Sequence, residues 1–289
     1  MANINELKRL VSETFKELTI KKFELLGEGK AAVICLANDE IVFKIPLENE
    51  GEIARWQKNE VVVLNYLKGK LDIEIPEILY TATSESGLYI IGETLLSGTT
   101  LSYELCDTYD NDTKADILRQ LGKIVRNLHD VSRNDFSWLG SQHETPESIM
   151  DEFRERFSTK TRRVFLSKEI DKIEEIAEHY TNISLQYPVE PVLCHHDLHF
   201  FNFMFDTKNK RISGLLDFGC AGYSEPAHDW HYYFDPKHVL EGYGETGDKY
   251  FLDRQKFHAL SWLLNNLGEE MGEGQETNQS LKFIREYIL

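Results

Sequence analysis

The stretch that decides the fold is residues 192–219, VLCHHDLHFFNFMFDTKNKRISGLLDFG. Asp197 follows two histidines, Asn202 comes five residues later, and Asp217 stands directly before a Phe-Gly pair. Together these three side chains offer two carboxylates and one amide, all of which carry oxygen atoms that can bind a proton or a cation. The rest of the chain is interpreted by what it can add to this group.

The stretch predicts a β-hairpin. Phe201–Phe205 alternates between apolar and polar or flexible positions, and Ile212–Leu216 is apolar again. A polar turn, Asp206–Lys210, separates the two runs. Alternation on both sides of a polar turn is typical of two antiparallel strands.

The register of this hairpin predicts a metal site. Pairing Phe205 with Ile212 would place Asn202 opposite Leu215 and diagonal to Asp217, at roughly 7–8 Å between backbones. An amide oxygen and a carboxylate at that separation can bind one hard cation. Mg²⁺ takes few protein oxygens and completes its shell with water and phosphate, so it suits this pair better than Ca²⁺ or Zn²⁺.

The order of the residues matches the template for phosphoryl transfer. H-x-D-L-x-x-x-N followed by D-F-G are two linked motifs, in which one aspartate orients and deprotonates the accepting hydroxyl group while the asparagine and the second aspartate hold metal ions. The segment resembles the aminoglycoside phosphotransferase family, which shares the protein-kinase fold, and it is most similar to the 2''-phosphotransferases. This resemblance implies that Asp197 is the catalytic base and that Asn202 and Asp217 bind Mg²⁺.

The resemblance also implies the fold and the reaction. The expected fold is α+β, two-lobed and protein-kinase-like, with a small antiparallel-sheet N-terminal lobe that has one main helix, and a larger, mostly helical C-terminal lobe. The expected reaction transfers the γ-phosphate of ATP or GTP to a hydroxyl group of an aminoglycoside. Where the family commonly has H-G-D-x-x-P-x-N, this sequence has H-H-D-L-H-F-F-N, so its loop is bulkier than usual.

Composition restricts the partners. A formal net charge of −17 argues against nucleic-acid binding, which needs a basic face, and favours cationic ligands. The longest apolar run, Ala31–Ala37, is too short to span a bilayer, and MANINELKRL lacks an apolar signal core. Four cysteines without a paired framework agree with a reducing compartment. We therefore expect a cytoplasmic protein without a membrane partner; its oligomeric state stays open.

A glycine-containing turn follows the first predicted strand. Phe23 begins an apolar run that enters Gly27-Glu28-Gly29-Lys30, and Ala31–Ala37 continues as a second strand. Glycines let backbone amides approach a phosphate group, although an ordinary hairpin turn also uses them. By resemblance, Gly27 and Gly29 would contact the nucleotide.

Two unusual charges predict an ion pair. In the predicted strand Glu40–Pro46, Lys44 is the only charge within an otherwise apolar run, and Glu60 lies on the apolar stripe of the helix Glu52–Leu67. Lys44 could instead extend to solvent, and Glu52 could compete as its partner, but a carboxylate on the inward stripe is costly unless it is paired. By resemblance, Lys44 holds the α- and β-phosphates and Glu60 fixes Lys44.

The resemblance places a hinge at residues 94–98, after two further predicted strands. Its backbone, at Thr94 and Leu96, would pair with the nucleotide base, which leaves the choice between ATP and GTP open. The predicted parts are an N-terminal nucleotide-binding lobe at 1–93, the hinge at 94–98, and a helical C-terminal lobe with the catalytic loop and the acceptor pocket at 99–289.

The segment after the hairpin favours a small acceptor. Only nine residues separate Gly219 from Asp229, and no A-P-E motif follows, so the long activation segment of protein kinases is missing. Asp229 is expected to brace the catalytic loop. Acidic residues of the last part of the chain could attract a cationic substrate, although any one of them could equally be a solvated carboxylate. The candidates are Asp235, Glu241, Glu245, Glu269 and Glu270.

Three alternatives stay open. The chain could be a related kinase for another alcohol, such as a macrolide, choline or homoserine, or it could be a nucleotide-binding pseudoenzyme. A zinc-dependent hydrolase would need a metal cluster of Cys194, His195, His196 and His199. Adjacent residues of an extended segment point to opposite sides, which disfavours that cluster.

Overall fold

The computed structural model describes residues 3–131, 144–157, 159–231, 236–272 and 279–289, without the side chains of 159 and 160. These residues form two compact units. The first comprises Met1–Ile117 and His199–Ala221, and the second comprises Leu118–Leu198 and Gly222–Leu289. The hairpin therefore belongs to the first unit. The predicted boundaries of the two lobes, at residues 93 and 99, stay a prediction.

The first unit contains a five-stranded antiparallel sheet in the order β1-β2-β3-β5-β4. Its strands and helices are α1 (Ile4–Thr14), β1 (Phe23–Glu28), β2 (Ala32–Ala37), β3 (Ile41–Pro46), α2 (Gly51–Leu67), β4 (Ile78–Thr83), β5 (Tyr89–Thr94), β6 (Thr99–Thr100) and α3 (Tyr103–Asp107). The expected antiparallel sheet with one main helix is confirmed.

An apolar layer holds α1 against the sheet. The ring of Phe15 lies 5.4 Å from that of Phe43, and Val11, Ile45 and Ile90 are buried in the same cluster. Because side chains alternate along a strand, burial of Phe43 and Ile45 on this face turns the residue between them to the opposite face. That residue is Lys44.

The hairpin is present with a different register. After a 3₁₀ turn at Phe200–Asn202, β8 (Phe203–Asp206) pairs with β9 (Arg211–Leu215), and β6 pairs with β8. Phe205 lies opposite Ile212, as predicted. The placement of Asn202 opposite Leu215 was wrong, because an irregularity between Met204 and Phe205 shifts the register and brings Phe203 opposite Leu215.

Helices make up most of the second unit. They are α4 (Asn111–His129, of which residues from 118 belong here), α5 (Pro146–Arg156), α6 (Thr159–Arg162), α7 (Ser167–Gln186), α8 (Lys237–Tyr243), α9 (Phe251–Gly272) and α10 (Gln279–Phe283), followed by a π turn at Ile284–Ile288. Two short strands, β7 (Val192–Cys194) and β10 (Gly222–Ser224), pair antiparallel. The expected helical C-terminal part is confirmed.

Aromatic and glycine contacts fix the helices of this unit. Tyr180 of α7 stacks on Phe257 of α9 at 3.8 Å between ring centroids, a contact typically worth about 0.5–1.5 kcal/mol beyond burial. A Cβ on Gly122 of α4 would stand 1.9 Å from the Val239 carbonyl oxygen of α8. The absence of a side chain at this position therefore permits the close approach of α4 and α8.

Helix α4 has a side-chain acceptor directly before its first residue. Asp110 Oδ1 accepts the Thr113 N–H at 2.8 Å. Asp110 is thus the acceptor at this helix start.

Among the residues described, we found no helix that combines the length and the apolar character needed to cross a bilayer.

Candidate active site

Lys44 and Glu60 form the ion pair that their positions in the sequence predict. Lys44 Nζ lies 2.5 Å from Glu60 Oε1, and both side chains are buried. Glu52, the rival partner, is exposed and bonds Arg55 at 3.1 Å. Charges removed from water are costly unless paired, so strand β3 and helix α2 each supply the charge that makes the other tolerable.

Two further carboxylates approach the same ammonium group. Glu93 Oε1 and Asp217 Oδ1 each lie 3.6 Å from Lys44 Nζ. Glu93 is buried on β5, opposite Val42 of β3, and its Oε2 has no hydrogen-bond partner among the residues described. The sequence interpretation missed Glu93, although a carboxylate inside the strand YIIGET was a signal for it.

These carboxylates and Lys44 shift each other's ionisation. Burial alone would lower the pKa of Lys44, but Glu60, Glu93 and Asp217 together hold it well above its usual value. Burial raises the pKa of Glu60 to about 8 and also raises that of Glu93, in both cases against the opposing effect of Lys44. Lys44 is therefore charged, and Glu60 and Glu93 bind protons more readily than exposed carboxylates do.

Asn202 and Asp217 lie at the same end of the hairpin. The Leu216 N–H donates to the Asn202 carbonyl oxygen at 2.8 Å, which places Asp217 directly beyond this link. The backbone of Asp217 is in the left-handed region, at φ 65°, and its side chain is 54% exposed. One amide and one carboxylate thus stand at the base of the hairpin, where they could bind an oxygen-preferring cation.

Helix α2 also holds the segment after Asp217. The Asn59 side-chain amide donates to the carbonyl oxygens of Gly219 and Ala221 at 3.0 and 2.8 Å. Since α2 carries Glu60 as well, one helix positions both the ion pair and the Asp217 segment. No pattern in the sequence pointed to Asn59, because its hydrogen-bond partners are far away along the chain.

The other predicted nucleotide contacts also lie in the first unit. Gly27 follows an irregularity in β1, and the Gly29 N–H donates to the Ala32 carbonyl oxygen at 2.9 Å. A Cβ at Gly27 would meet no described atom within 4 Å, so packing does not require glycine there. The Thr94 N–H is already bonded to the Glu77 carbonyl oxygen at 3.0 Å, and Leu96 packs over Gly214.

Asp197 stands in the second unit, in a loop braced by Asp229. The two carboxylate oxygens of Asp229 accept the backbone N–H groups of His195 and His196 at 2.9 and 2.8 Å. The Asp197 N–H points to His195 Nδ1 at 3.3 Å, and His196 is left-handed, at φ 67°. The bracing contact expected of Asp229 is therefore present.

Asp229 is itself held in its charged form. Burial opposes ionisation, but the hydrogen bond to His129 Nε2, at 3.0 Å, and the neighbouring histidines hold the pKa of Asp229 below its usual value. A permanently charged acceptor keeps the loop of Asp197 fixed.

Three of the acidic candidates near the end of the chain, Glu241, Glu269 and Glu270, have separate side-chain partners. Glu241 pairs with Arg119 at 2.8 Å, and Glu270 accepts the Ser280 N–H at 3.2 Å. Glu269 accepts from the Asn265 side chain at 3.2 Å, and the Glu245 carbonyl oxygen accepts from Arg126 at 3.0 Å. Asp235 lies outside the described residues.

The side chains of Cys194, His195, His196 and His199 do not converge. Within the described part of the chain, each group of three or more convergent metal-ligand atoms contains at most one of these four residues. The alternative of a zinc cluster built from this run of sequence therefore finds no support.

Together with the antiparallel sheet, the ion pair between β3 and α2 and the hairpin define a phosphotransferase of the protein-kinase-like class. Residues 34–255 match the model of the phosphotransferase enzyme family, known as APH. As this match covers more than half of the chain, the chain belongs to that family.

Solved structures of the same fold support the assignment. The GDP complex of wild-type aminoglycoside 2'-phosphotransferase-IIIa has a TM-score of 0.85 at 19% identity, covering 99% of this chain and 98% of that chain. The streptomycin–ATP ternary complex of APH(2")-IIa has a TM-score of 0.71 at 19% identity, covering 99% and 97%. The macrolide 2'-phosphotransferase of Brachybacterium faecium has a TM-score of 0.68 at 18% identity, covering 97% and 96%. The resemblance and the fold class inferred from the sequence are confirmed.

Proposed function

We propose that this phosphotransferase transfers the γ-phosphate of ATP or GTP to a hydroxyl group of an aminoglycoside. The observation that carries the proposal is the buried Lys44 ammonium group, held by Glu60 at 2.5 Å and accompanied by Asp217 at 3.6 Å. A fixed ammonium group beside a metal-binding carboxylate is what phosphoryl transfer requires at its phosphate-binding end.

The nucleotide would be bound by the first unit. Lys44 would contact the α- and β-phosphates, with Glu60 fixing its direction. The open space around Gly27 supports a role for the turn with Gly27 and Gly29 in covering the phosphates, because no packing contact explains glycine at position 27. Backbone groups at Thr94 and Leu96 would pair with the base.

Asn202 and Asp217 would hold Mg²⁺. Their fit to this ion rests on their oxygen donors and on the solvent-accessible Asp217 side chain, which leaves room for water and phosphate ligands. When bound, Mg²⁺ supplies positive charge for the phosphate oxygens.

Asp197 would orient the accepting hydroxyl group and accept its proton. The anchoring of His195 and His196 by Asp229 supports this role, since a base must be held within hydrogen-bond reach of the proton that it removes. Positioning and charge neutralisation then provide most of the catalysis.

The acceptor is assigned from charge. A net charge of −17 favours a polycation over a neutral or anionic acceptor. The residues that would contact the substrate are among Asp235, Glu241, Glu245, Glu269 and Glu270. At Glu241 and Glu270 the substrate would compete with Arg119 and Ser280 for the carboxylate. A cytoplasmic location, without nucleic-acid or membrane partners, belongs to the same proposal.

An acceptor panel tests the proposal. Purified protein is incubated with Mg²⁺ and either ATP or GTP in the presence of aminoglycosides, macrolides, choline or homoserine, and products are identified by mass spectrometry. We expect a phosphorylated product with at least one aminoglycoside. Phosphorylation of only a macrolide, choline or homoserine would reassign the acceptor, and nucleotide binding without any product would favour a pseudoenzyme.

A further inference from the structure

Three metal-ligand side chains from separate parts of the sequence converge in the second unit. Glu144 precedes α5, His196 stands beside Asp197, and His228 lies in the 3₁₀ turn Pro226–Trp230. One ligand atom of each lies within 4.8 Å of those of the other two. Glu144 Oε2 is 2.8 Å from His228 Nδ1 and 3.7 Å from His196 Nε2. We refer to these three residues as the Glu144 triad.

An unpartnered buried nitrogen points into this group. The side chain of His196 is 10% exposed, and its Nε2 is buried without a hydrogen-bond partner among the residues described. The carboxylate oxygen of Glu144 is too distant to accept a normal hydrogen bond from it. Buried polar atoms rarely lack a partner, so we expect a bound ligand beside this nitrogen.

The backbone on each side of the triad is fixed. Every member donates its main-chain N–H to an acceptor of the same unit, so the three side chains start from held positions. These bonds are His196 to Asp229 at 2.8 Å, Glu144 to the Tyr223 carbonyl at 2.8 Å, and His228 to the Glu225 carbonyl at 3.0 Å.

Neighbouring rings also support His228. Its ring stacks on that of His196 at 4.5 Å between centroids and on that of His258 at 4.4 Å. His258 Nε2 in turn lies 2.6 Å from Glu225 Oε1, which Arg254 anchors through the other oxygen at 2.9 Å. A supporting layer of this kind is what keeps metal-binding histidines oriented.

We propose that the Glu144 triad binds a divalent ion of the zinc class. Two imidazoles and one carboxylate are a ligand set that suits Zn²⁺ or Co²⁺, whereas Mg²⁺ and Ca²⁺ prefer oxygen alone. Ligand atoms about 2.1 Å from a tetrahedral ion stand about 3.4 Å apart. The separations of 2.8 and 3.7 Å bracket that spacing, so small side-chain rotations complete the site.

Such an ion would connect Glu144 to the catalytic loop. His196 directly precedes Asp197 in the chain, and its backbone is already held by Asp229. By binding the side chain of His196, the ion would hold this loop at a second point. It would be separate from the Mg²⁺ proposed at Asn202 and Asp217, which offer only oxygen donors.

Cobalt binding tests the site directly. Untagged full-length protein is stripped with a chelator, exchanged into buffer with excess Mg²⁺, and titrated with Co²⁺ while the visible d–d absorption is recorded. We expect one equivalent of Co²⁺ to give an intense four-coordinate spectrum that Zn²⁺ abolishes. The variants Glu144→Gln and His228→Ala should each weaken Co²⁺ binding about tenfold or more.

A matched control is His238→Ala. His238 also lies near a carboxylate, Glu241 at 3.1 Å, but it stands outside the triad, so this variant should bind Co²⁺ like the wild type. If His228→Ala fails to fold, judged by circular dichroism, Glu144→Gln decides, because Glu144 is partly exposed and its substitution keeps the side-chain size.

Either of two results would overturn the proposal. One is the absence of a saturable Co²⁺ spectrum. The other is an affinity for Co²⁺ that Glu144→Gln leaves unchanged. Such a result would mean that Co²⁺ binds elsewhere, for example at the separate group of His129, Cys194 and Asp229, where a thiolate-to-cobalt charge-transfer band would reveal it.

Discussion

Lys44 is the residue on which the phosphate-binding end of the site depends. Its ammonium group is buried with Glu60 and Glu93, and Asp217 approaches from the base of the hairpin. Removing one member of such a group leaves the others with uncompensated charge, so effects on stability and on catalysis must be measured separately.

Lys44→Ala should impair both folding stability and turnover. Loss of the ammonium group leaves buried carboxylates unpaired, and we expect the free energy of unfolding to fall by about 3–5 kcal/mol. Under conditions where the variant remains folded, kcat/KM for the nucleotide should fall on the order of 10²-fold. Urea unfolding and steady-state kinetics measure the two effects.

Lys68→Ala is the control for this variant. Lys68 pairs with Glu77 at 2.7 Å on the surface, so its loss should cost no more than about 1 kcal/mol. If Lys44→Ala keeps the kcat/KM of the wild type, Lys44 has no part in binding the phosphates.

Glu93→Gln should change stability in a pH-dependent way. Burial raises the pKa of Glu93 above its usual value, so the folded protein binds this proton more tightly than the unfolded chain does. The contribution of Glu93 is therefore most favourable in acid and is lost as the pH rises through the raised pKa. Glutamine mimics the protonated form, so the variant should match the wild type in acid and exceed its Tm once the pH has risen through the raised pKa of Glu93.

The difference in Tm between Glu93→Gln and the wild type is measured by thermal unfolding between pH 4 and 9. Glu52→Gln, on the exposed side of α2, should show no such trend. A Tm difference for Glu93→Gln that shrinks as the pH rises would show that the pairing with Lys44, rather than burial, dominates at Glu93.

At the scale of elements, α2 and the hairpin organise the first unit. Helix α2 supplies Glu60 to Lys44 and Asn59 to the carbonyl groups after Asp217. The Lys44–Glu60 pair was predictable, because each charge contradicts the apolar pattern of its own element. Asn59 was not, because polar residues on a helix are ordinary until the fold brings their distant partners to them.

The hairpin shows a second reason why prediction was incomplete. Alternation along the sequence located both strands and the pairing of Phe205 with Ile212. It could not reveal the irregularity between Met204 and Phe205, since an extra backbone residue in one strand leaves no clear mark in side-chain polarity. The position of Asn202 relative to its neighbours was therefore wrong.

Asn59→Ala tests the contact between these elements. It removes two hydrogen bonds to partly buried carbonyl oxygens, so we expect a loss of about 1–3 kcal/mol in the free energy of unfolding. Asn49→Ala, which removes only an exposed bond to Ser86 at 3.4 Å, should change stability by about 0.5 kcal/mol or less. Equal effects in chemical denaturation would show that the Asn59 contacts do not stabilise the fold.

For the whole molecule, charge is the property that connects sequence to acceptor. The net charge of −17 could be read from composition, and membership of the phosphotransferase enzyme family could be anticipated from the motifs. The convergence of the Glu144 triad could not be predicted from the sequence, because its members come from parts of the chain with no shared pattern.

Ionic strength should affect the two substrates differently. Attraction between a negatively charged protein and a polycation is screened by salt, so the KM for an aminoglycoside should rise between 0.05 and 0.5 M salt, on the order of several-fold. The KM for the nucleotide, an anion, should not rise in parallel. Parallel changes in both KM values would argue against electrostatic recognition of the acceptor.

Phosphate transfer by wild type and Asp197→Asn tests the central claim most directly. Both proteins should bind ATP or GTP with similar affinity by calorimetry, while mass spectrometry should show phosphorylated aminoglycoside with the wild type and a rate lower by roughly 10²–10⁴-fold with the variant. Transfer by Asp197→Asn at the wild-type rate would contradict the role of Asp197, and no transfer by the wild type to any aminoglycoside would contradict the proposed function.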